Sequence, residues 1–277
     1  MTDIVIRRLL VDLQAPPARN WCGGDAFATA FFNALSMSFP FGEQVFIDAE
    51  RNAVATLPAE AQDQHRAEVR GFIGQEATHR RVHALFNAHL AQQGLVDRWS
   101  PRAAARTASL AGVDARHAVA ITAATEHFTA MFADWLLARP ETLAGAEPRL
   151  AAMWLWHCAE ELEHRSTAID VYRAAGGSEV WRTRWFKRVT ISFLGDLLRQ
   201  TVDNLRHEKQ LWKLATWQSA ARLLLGRGGM VRANRHAWRR YLQPGFHPGE
   251  QNSGLSQRWL AANAAWFTPV GSAGSGG

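Results

Sequence analysis

The chain has 277 residues, of which 47% are hydrophobic and 20% charged, a composition that excludes an intrinsically disordered protein and allows a large buried core. Its two cysteines, Cys22 and Cys158, exclude a disulfide-rich scaffold and a zinc site built from CxxC pairs. Charges interrupt the first apolar runs, and no run reaches the roughly 18 apolar residues of a membrane span, so we expect a cytoplasmic protein. The net charge of +6 raises the question of a nucleic-acid or membrane partner, and the answer depends on where the basic residues lie.

Apolar residues recur at i, i+3, i+4 and i+7 along most of the chain, and this spacing predicts an all-α protein. The first helix is predicted over residues 25–55, with a disturbance at Pro40 because proline lacks the amide hydrogen that a helix uses. Pro58 ends this helix. The second helix is predicted over residues 60–93, just before Gly94.

The segment 97–114 is predicted to be a connection with at most a short turn of its own. The third helix is predicted over residues 115–138 and the fourth over residues 148–175, where two glycines end it. Four long helices with one long connection are typical of a four-helix bundle with a crossover. We therefore expect a helix bundle over residues 1–177.

Beyond residue 177 the sequence becomes basic and rich in tryptophan. Helices are predicted over residues 181–206 and 208–225, GRGG at 226–229 is a predicted break, and a last helix is expected to end at Tyr241. We expect residues 178–250 to form a helical extension packed on the bundle. Residues 251–277 are expected to be a C-terminal segment with a flexible end.

The sequence WHCAEELEH carries the clearest chemical pattern of the chain. His157, Glu161 and His164 are spaced i, i+4 and i+7, which places them on one face of the fourth helix. Glu76 and His79 form a second Glu-x-x-His pair in the second helix. Two such pairs on two helices of a bundle, with one glutamate from each of the other two helices, form the ligand set of a dinuclear carboxylate site.

The first and third helices each offer such a glutamate. Glu43 lies among phenylalanines in SFPFGEQVF, and Glu126 lies among small and apolar residues in TAATEHFTA. Four buried carboxylates without cations would be strongly unfavourable, and two divalent ions would balance their charge. Oxygen and imidazole donors without a thiolate suit iron or manganese, and zinc also accepts these ligand types. The sequence therefore predicts a site for two metal ions, with two iron ions favoured.

A single Glu-x-x-His pair is most often solvated, so the prediction rests on two pairs and two single glutamates in the right helices. Glu160 and Glu163 are expected to contact ligands or form salt bridges from other faces of the fourth helix. His83 is a ligand, a hydrogen-bond donor to a ligand or an ordinary helix residue. His127 is expected to point away from the site, and Asp170 is a candidate to orient a ligand histidine.

Five motifs resemble the family described as predicted metal-dependent hydrolases: SxSFPFGExxF, FIGQExxHxxxH, ATEHFTA, WHxxEExEHRSxAxDVY and YLQPGFHP. This resemblance extends over most of the chain and implies a ferritin-like bundle with a metal site. The order of the acidic and histidine residues is also similar to that of the p-aminobenzoate N-oxygenases, which are di-iron enzymes. The second resemblance implies seven metal ligands, namely Glu43, Glu76, His79, Glu126, His157, Glu161 and His164.

The favoured hypothesis for function is a di-iron oxidase or oxygenase that uses dioxygen and an electron donor to oxidise a small organic substrate. An apolar or lipid-like substrate is one form of this hypothesis. The catalytic carboxylates would be Glu43, Glu76, Glu126 and Glu161. Aromatic neighbours of the ligands are candidates for a dry substrate pocket or for plain core: Phe46, Phe72, Phe128, Trp154 and Trp156. The alternatives are a hydrolase in which two ions activate water, and a metal-binding protein without turnover.

The basic residues are concentrated in one region. Residues 173–243 hold 15 Lys or Arg and 4 Asp or Glu, a net of +11, so the rest of the chain carries −5 of the total of +6. Tryptophans alternate with these basic residues, which is typical either of contact with a membrane surface or of a solvated face whose tryptophans pack on the bundle. No nucleic-acid-binding motif is present, so we expect no nucleic-acid partner.

Overall fold

The computed structural model describes residues 4–110, 112–251 and 253–270. Within these residues the chain forms ten α-helices and two short strands, which confirms the all-α prediction. The helices are α1 (Ala26–Ala55), α2 (Ala59–Gln92), α3 (Trp99–Ala108), α4 (Arg116–Leu137), α5 (Pro148–His164), α6 (Thr167–Ala174), α7 (Glu179–His207), α8 (Leu214–Leu225), α9 (Met230–Tyr241) and α10 (Leu255–Ala262). The strands β1 (Arg7–Leu9) and β2 (Phe267–Pro269) pair in antiparallel orientation.

Helices α1, α2, α4 and α5 form the bundle. Helix α1 packs along α2, α4 packs along α5, and further contacts join α1 to α4 and α2 to α5. Large aromatic side chains fill the space between them, with the rings of Phe32 and Trp154 5.0 Å apart between centroids and Trp21 packed edge-on against Phe32 and Phe86. Burial of these apolar rings is the main force that holds the four helices together.

Helix α1 continues without a break through Pro40, so the disturbance predicted there is wrong. Proline lacks the amide hydrogen that would bond to the Ser36 carbonyl one turn earlier. The side chain of Asn87 on α2 donates a hydrogen bond of 2.8 Å to that carbonyl instead. The neighbouring helix therefore satisfies the carbonyl that proline leaves free.

The connection between α2 and α4 is more ordered than predicted, since it contains the ten-residue helix α3. Asp97 accepts hydrogen bonds from the backbone amides of Trp99 and Ser100 and so satisfies the start of this helix. The predicted fourth helix is in fact two helices, because residues 165–166 separate α5 from α6. Helix α5 therefore ends at His164.

The basic region packs on the bundle through α7, which contacts α1 and α4, and through α9, which contacts α4 and α8. Residues 208–213, predicted to be helical, form a loop instead. The structure also has α10, which packs on α5, and β2, neither of which the sequence pattern indicates. The predicted flexible end at 271–277 lies outside the described residues. Among the helices of the described segments, none combines the length and the apolar character that a bilayer crossing requires.

The N-terminal segment lies against α2 at two glycines. A Cβ on Gly71 would lie 2.6 Å from Cβ of Ile4 and 2.9 Å from the Ile4 carbonyl oxygen, and a Cβ on Gly74 would collide with Ile6. Only glycine allows this close approach without a shift of the backbone. The contact positions β1, and with it Arg7, behind the site described next.

Candidate metal centre

The seven residues implied as ligands lie together inside the bundle, and each is at most 3% exposed. Donor atoms of four of them, and of a second group of three, lie within 4.8 Å of one another, and His79 belongs to both groups. The first group is Glu76, His79, Glu161 and His164, and the second is Glu43, His79 and His157. The seventh residue, Glu126, joins the cluster through His164, whose Nδ1 is 3.1 Å from Oε2 of Glu126.

Glu161 lies at the centre of the cluster. Its Oε1 atom is 2.9 Å from Nε2 of His157 and 3.5 Å from Nδ1 of His79. Nε2 of His164 lies 3.9 Å from the same oxygen and 3.3 Å from Oε1 of Glu76. Three imidazole nitrogens therefore surround one carboxylate oxygen.

His79 is oriented from behind by Glu160. Nε2 of His79 lies 2.9 Å from Oε2 of Glu160, and because a carboxylate only accepts, Nε2 carries the proton and Nδ1 faces the cluster. Arg7 donates to Oε1 of Glu160 at 3.1 Å and to both oxygens of Glu163. The prediction that Glu160 and Glu163 form salt bridges or contact ligands is confirmed.

His83 belongs to a directed chain of hydrogen bonds that ends at His157. Because Asn87 Nδ2 donates to the Ser36 carbonyl, its Oδ1 faces the Ser36 hydroxyl and accepts its proton at 2.7 Å. Ser36 Oγ then accepts from Nδ1 of His83 at 2.8 Å. Burial, together with the charges of two neighbouring histidines, lowers the pKa of His83 well below its usual value, so this ring is neutral.

The neutral His83 ring fixes the proton of His157. With its proton on Nδ1, His83 offers the lone pair of Nε2 to Nδ1 of His157, 2.7 Å away. Nδ1 of His157 therefore carries the proton, and its Nε2 lone pair faces Glu161. His83 thus contacts the candidate ligand His157 from behind, but it accepts the hydrogen bond and is not the donor that the sequence suggested.

The cluster has more acidic charge than its own histidines balance. Burial raises the pKa of Glu43 and of Glu76 well above the ordinary value, and it raises the pKa of Glu126 to about 7. Burial lowers the pKa of His79, but the hydrogen bond to Glu160 and the nearby negative charge of Glu161 outweigh it and raise that pKa to about 10. Without a bound cation, the cluster must therefore hold protons to remain buried.

The donor atoms fit a pair of divalent cations. Eight of them, all buried, have no hydrogen-bond partner: both oxygens of Glu43 and of Glu76, Oε1 of Glu126, Oε2 of Glu161, Nδ1 of His79 and Nε2 of His164. In addition, the Nε2 lone pair of His157 faces a carboxylate oxygen at 2.9 Å, and two acceptors at that distance require a proton or a cation. All these donors are oxygen or imidazole nitrogen, which suits iron, manganese or zinc.

Glu50 is a buried carboxylate that the sequence analysis misses. It is fully buried on α1, two turns after Glu43, and neither of its oxygens has a hydrogen-bond partner. Burial raises its pKa well above the ordinary value, and the charge of Glu126 adds to the effect. The i, i+7 spacing from Glu43 is the signal that would have placed it on the same face of the helix.

His127 and Asp170 lie away from the ligands. Nε2 of His127 is 3.1 Å from the Ala237 carbonyl of α9, so the prediction that this ring points elsewhere is confirmed. Asp170, a candidate to orient a ligand histidine, instead accepts from His247 at 2.9 Å. Asp170 lies on α6, beyond the break that follows His164.

Two cavities of about 560 Å³ each reach the cluster. The wall of the first contains His157 and Glu161, and the wall of the second contains Glu43. Phe39 and Thr129 line both cavities. Both are within the range of about 300–1,000 Å³ typical of small-molecule sites.

The five aromatic residues considered for a substrate pocket divide into two groups. Phe128 and Trp154 line the first cavity, and Phe46 lines the second. Phe72 and Trp156 instead pack edge-on against the rings of His164 and His79. The latter two are therefore support for ligand rings, and the first three face space that a substrate can occupy.

Comparison with known proteins gives one match. No curated protein and no solved structure matches the chain. A family model described as predicted metal-dependent hydrolase matches residues 5–252, which include every helix that carries the buried cluster. The chain therefore belongs to the family of predicted metal-dependent hydrolases.

Proposed function

We propose that the cluster binds two divalent metal ions and that the chain is a dinuclear metal enzyme with a mostly apolar substrate. The observation that carries this proposal is the set of eight unpartnered donor atoms, buried together beside a cavity. The residues that would hold the ions are Glu43, Glu76, His79, Glu126, His157, Glu161 and His164. Glu161 is the carboxylate in reach of all three imidazoles.

Hydrolysis of an ester, amide or phosphoryl bond is the first candidate reaction, because the family is described by it. Bound ions supply a Lewis acid that polarises a substrate oxygen and acidifies water when they are redox-inert, and electrons for dioxygen when they are iron. His157 and Glu161 face the first cavity, where a substrate group can lie against them, and apolar walls keep bulk water away.

Oxidation by dioxygen at two iron ions is the second candidate reaction. Seven protein ligands leave fewer open positions than hydrolytic sites usually keep for water and substrate. The rings of Phe39, Phe128 and Trp154 around the cavity also suit a reaction that must exclude water. The donor set and the cavity support this candidate, whereas the family description supports hydrolysis.

The two reactions are separated by loading the metal-free protein with zinc or, under anaerobic conditions, with ferrous iron. A hydrolase cleaves p-nitrophenyl esters of increasing chain length in its zinc form and needs no dioxygen. An oxidase is inactive with zinc, and its iron form consumes dioxygen once a reductant is added. The Glu161→Gln variant should lose either activity, and the Glu141→Gln variant, changed at an exposed surface position, should keep it. Failure to bind either metal would overturn the proposal.

A further inference from the structure

The first cavity connects the metal cluster to the protein surface at α9. Its inner end is formed by His157, Cys158 and Glu161, which are at most 3% exposed. Its outer end includes Leu194 of α7 and Val231 of α9, which are 46% and 52% exposed. A molecule in this cavity can therefore contact the cluster at one end and solvent at the other.

The wall between these two ends is apolar. It consists mainly of aromatic and aliphatic side chains from α1, α4 and α7, among them Phe31, Leu35, Phe128, Phe132 and Leu197. Such a wall offers few hydrogen bonds to a polar ligand and gains free energy by burying hydrocarbon, at about 25 cal/mol per Å² of apolar surface. The wall therefore suits a molecule with a hydrocarbon body.

Two arginines without partners lie at the outer end of the cavity. Arg232 and Arg235 on α9 line the cavity and are exposed, and their guanidinium groups make no hydrogen bond or ion pair with any residue that the structure describes. Two other arginines nearby are already paired. Arg240 of α9 binds Glu250, and Arg106, which lines the second cavity, binds Asp196.

We propose that the first cavity binds an amphipathic molecule with a hydrocarbon body and one anionic end group, a carboxylate or a phosphate. The anionic group binds Arg232 and Arg235, because guanidinium groups pair with these anions through two parallel hydrogen bonds. The hydrocarbon body fills the cavity, and the far end of the molecule lies against His157 and Glu161. Binding of this molecule does not depend on the proposed function. Only a reaction at its far end, beside His157 and Glu161, rests on it.

Calorimetric titration of the metal-free protein with three probes tests the assignment. Decanoate carries both features of the ligand, 1-decanol has only the apolar body and acetate only the anionic group. Decanoate should bind at least about fivefold more tightly than decanol, as expected for one or two exposed ion pairs, and acetate should not bind measurably. Equal affinity for decanoate and decanol would overturn the assignment of an anionic end group.

Three variants locate the binding site. The double variant R232Q/R235Q should weaken decanoate binding about fivefold to tenfold and leave decanol binding unchanged. Arg239→Gln is the matched control, since Arg239 is exposed on the same helix but does not line the cavity. Leu194→Trp narrows the outer end and should weaken both decanoate and decanol. If neither Leu194→Trp nor the double variant changes decanoate binding, the ligand lies elsewhere and the proposal is wrong.

Metal content measured on the same samples separates this inference from the proposed function. Decanoate binding without any metal uptake would contradict only the metal enzyme. Metal uptake without decanoate binding would contradict only the amphipathic ligand.

The anionic group can come from a free amphiphile or from a lipid headgroup, and vesicles distinguish the two sources. Flotation with phosphatidylglycerol vesicles, absent with phosphatidylcholine and lost in R232Q/R235Q, would assign a lipid headgroup. Decanoate binding without flotation would assign a free amphiphile. Either result supports an amphipathic ligand whose anionic group binds Arg232 and Arg235. Flotation that R232Q/R235Q leaves unchanged, without decanoate binding, would contradict it.

Discussion

The imidazole of His79 and the carboxylate of Glu160 are hydrogen-bonded at 2.9 Å behind the candidate metal centre. This bond decides which nitrogen of His79 faces the other ligands. Arg7 binds the second oxygen of Glu160, so the N-terminal segment takes part in positioning a residue of the bundle core.

Replacement of Glu160 should weaken metal binding although Glu160 is not itself a proposed ligand. Glu160→Gln removes the negative charge beside Nε2 of His79 and leaves one acceptor oxygen where His79 and Arg7 now bind one each. Changes of this kind typically cost about 10-fold to 100-fold in metal affinity. Competition with a chromophoric zinc chelator measures the effect. The exposed Glu141→Gln variant is the control, and wild-type affinity in Glu160→Gln would contradict the role given to this hydrogen bond.

His83 should control the proton of His157. In His83→Ala, the ring of His157 loses the acceptor that holds its proton on Nδ1, so zinc affinity should fall about tenfold or more. Nitrogen-15 spectra of histidine in the metal-free protein report the tautomer directly, and in His83→Ala the proton of His157 should move in part from Nδ1 to Nε2, which lies beside Glu161. His65→Ala, on the same helix, is the control. An unchanged tautomer in His83→Ala would contradict the hydrogen-bond chain.

The metal-free protein should lose stability as the pH rises above neutrality. The pKa of His79 is raised from 6.5 to about 10, so the folded chain holds this proton more tightly than the unfolded chain. Its contribution to stability is complete below about pH 6.5 and is lost as the pH rises to about 10, with a slope of about 1.4 kcal/mol per pH unit for one proton. The pKa of Glu126 is raised from 4.5 to about 7, so its contribution to stability also decreases as the pH rises, but between these two lower values. Burial lowers the pKa of His157 from 6.5 to about 4. Its contribution to stability therefore increases with pH, but only between these two values, both of which lie below neutrality.

Urea unfolding with a chelator at several pH values between neutrality and pH 9 measures this slope. Zinc-loaded protein should show a smaller slope or a rise, because metal binding requires deprotonated ligands and therefore strengthens as the pH increases. A metal-free stability that is constant or rises over this interval would contradict the protonation assigned to His79.

Asn87 should contribute to the stability of the protein because Pro40 leaves the Ser36 carbonyl without a backbone donor. Asn87→Ala leaves the Ser36 carbonyl without a donor and the Ser36 hydroxyl proton without its acceptor, which should lower the free energy of unfolding by about 1–3 kcal/mol. In a Pro40→Ala background the amide of residue 40 can bond to the Ser36 carbonyl, so the same substitution should cost less. Urea unfolding of the four proteins in this cycle tests it, and equal costs in both backgrounds would contradict the compensation.

Local spacing explains why the residues of the cluster could be picked from the sequence. Glu-x-x-His and the i, i+4, i+7 pattern of His157, Glu161 and His164 depend only on helix geometry. Arg7 could not be found in this way, because it meets Glu160 across 153 residues of sequence. For the same reason the pairing of β1 with β2 gives no signal in either short segment.

Tertiary contacts also account for the errors in the helix boundaries. Pro40 predicts a disturbance in α1, but Asn87 on another helix donates to the carbonyl that proline leaves without a hydrogen bond. Residues 165–166 interrupt a continuous apolar pattern, and Arg165 there donates to the Gln251 carbonyl in the C-terminal segment. Such contacts are fixed by the fold and have no counterpart in local propensity.

The most direct test of the account is the metal content of the protein. After reconstitution and removal of loosely bound ions, elemental analysis should give two metal ions per chain for wild type, and fewer than one for Glu161→Ala, which removes the carboxylate that all three imidazoles surround. The exposed Glu141→Ala variant should retain two. A wild-type chain that binds no metal, or a Glu161→Ala variant that keeps both ions, would contradict the central claim that this cluster is a dinuclear metal site.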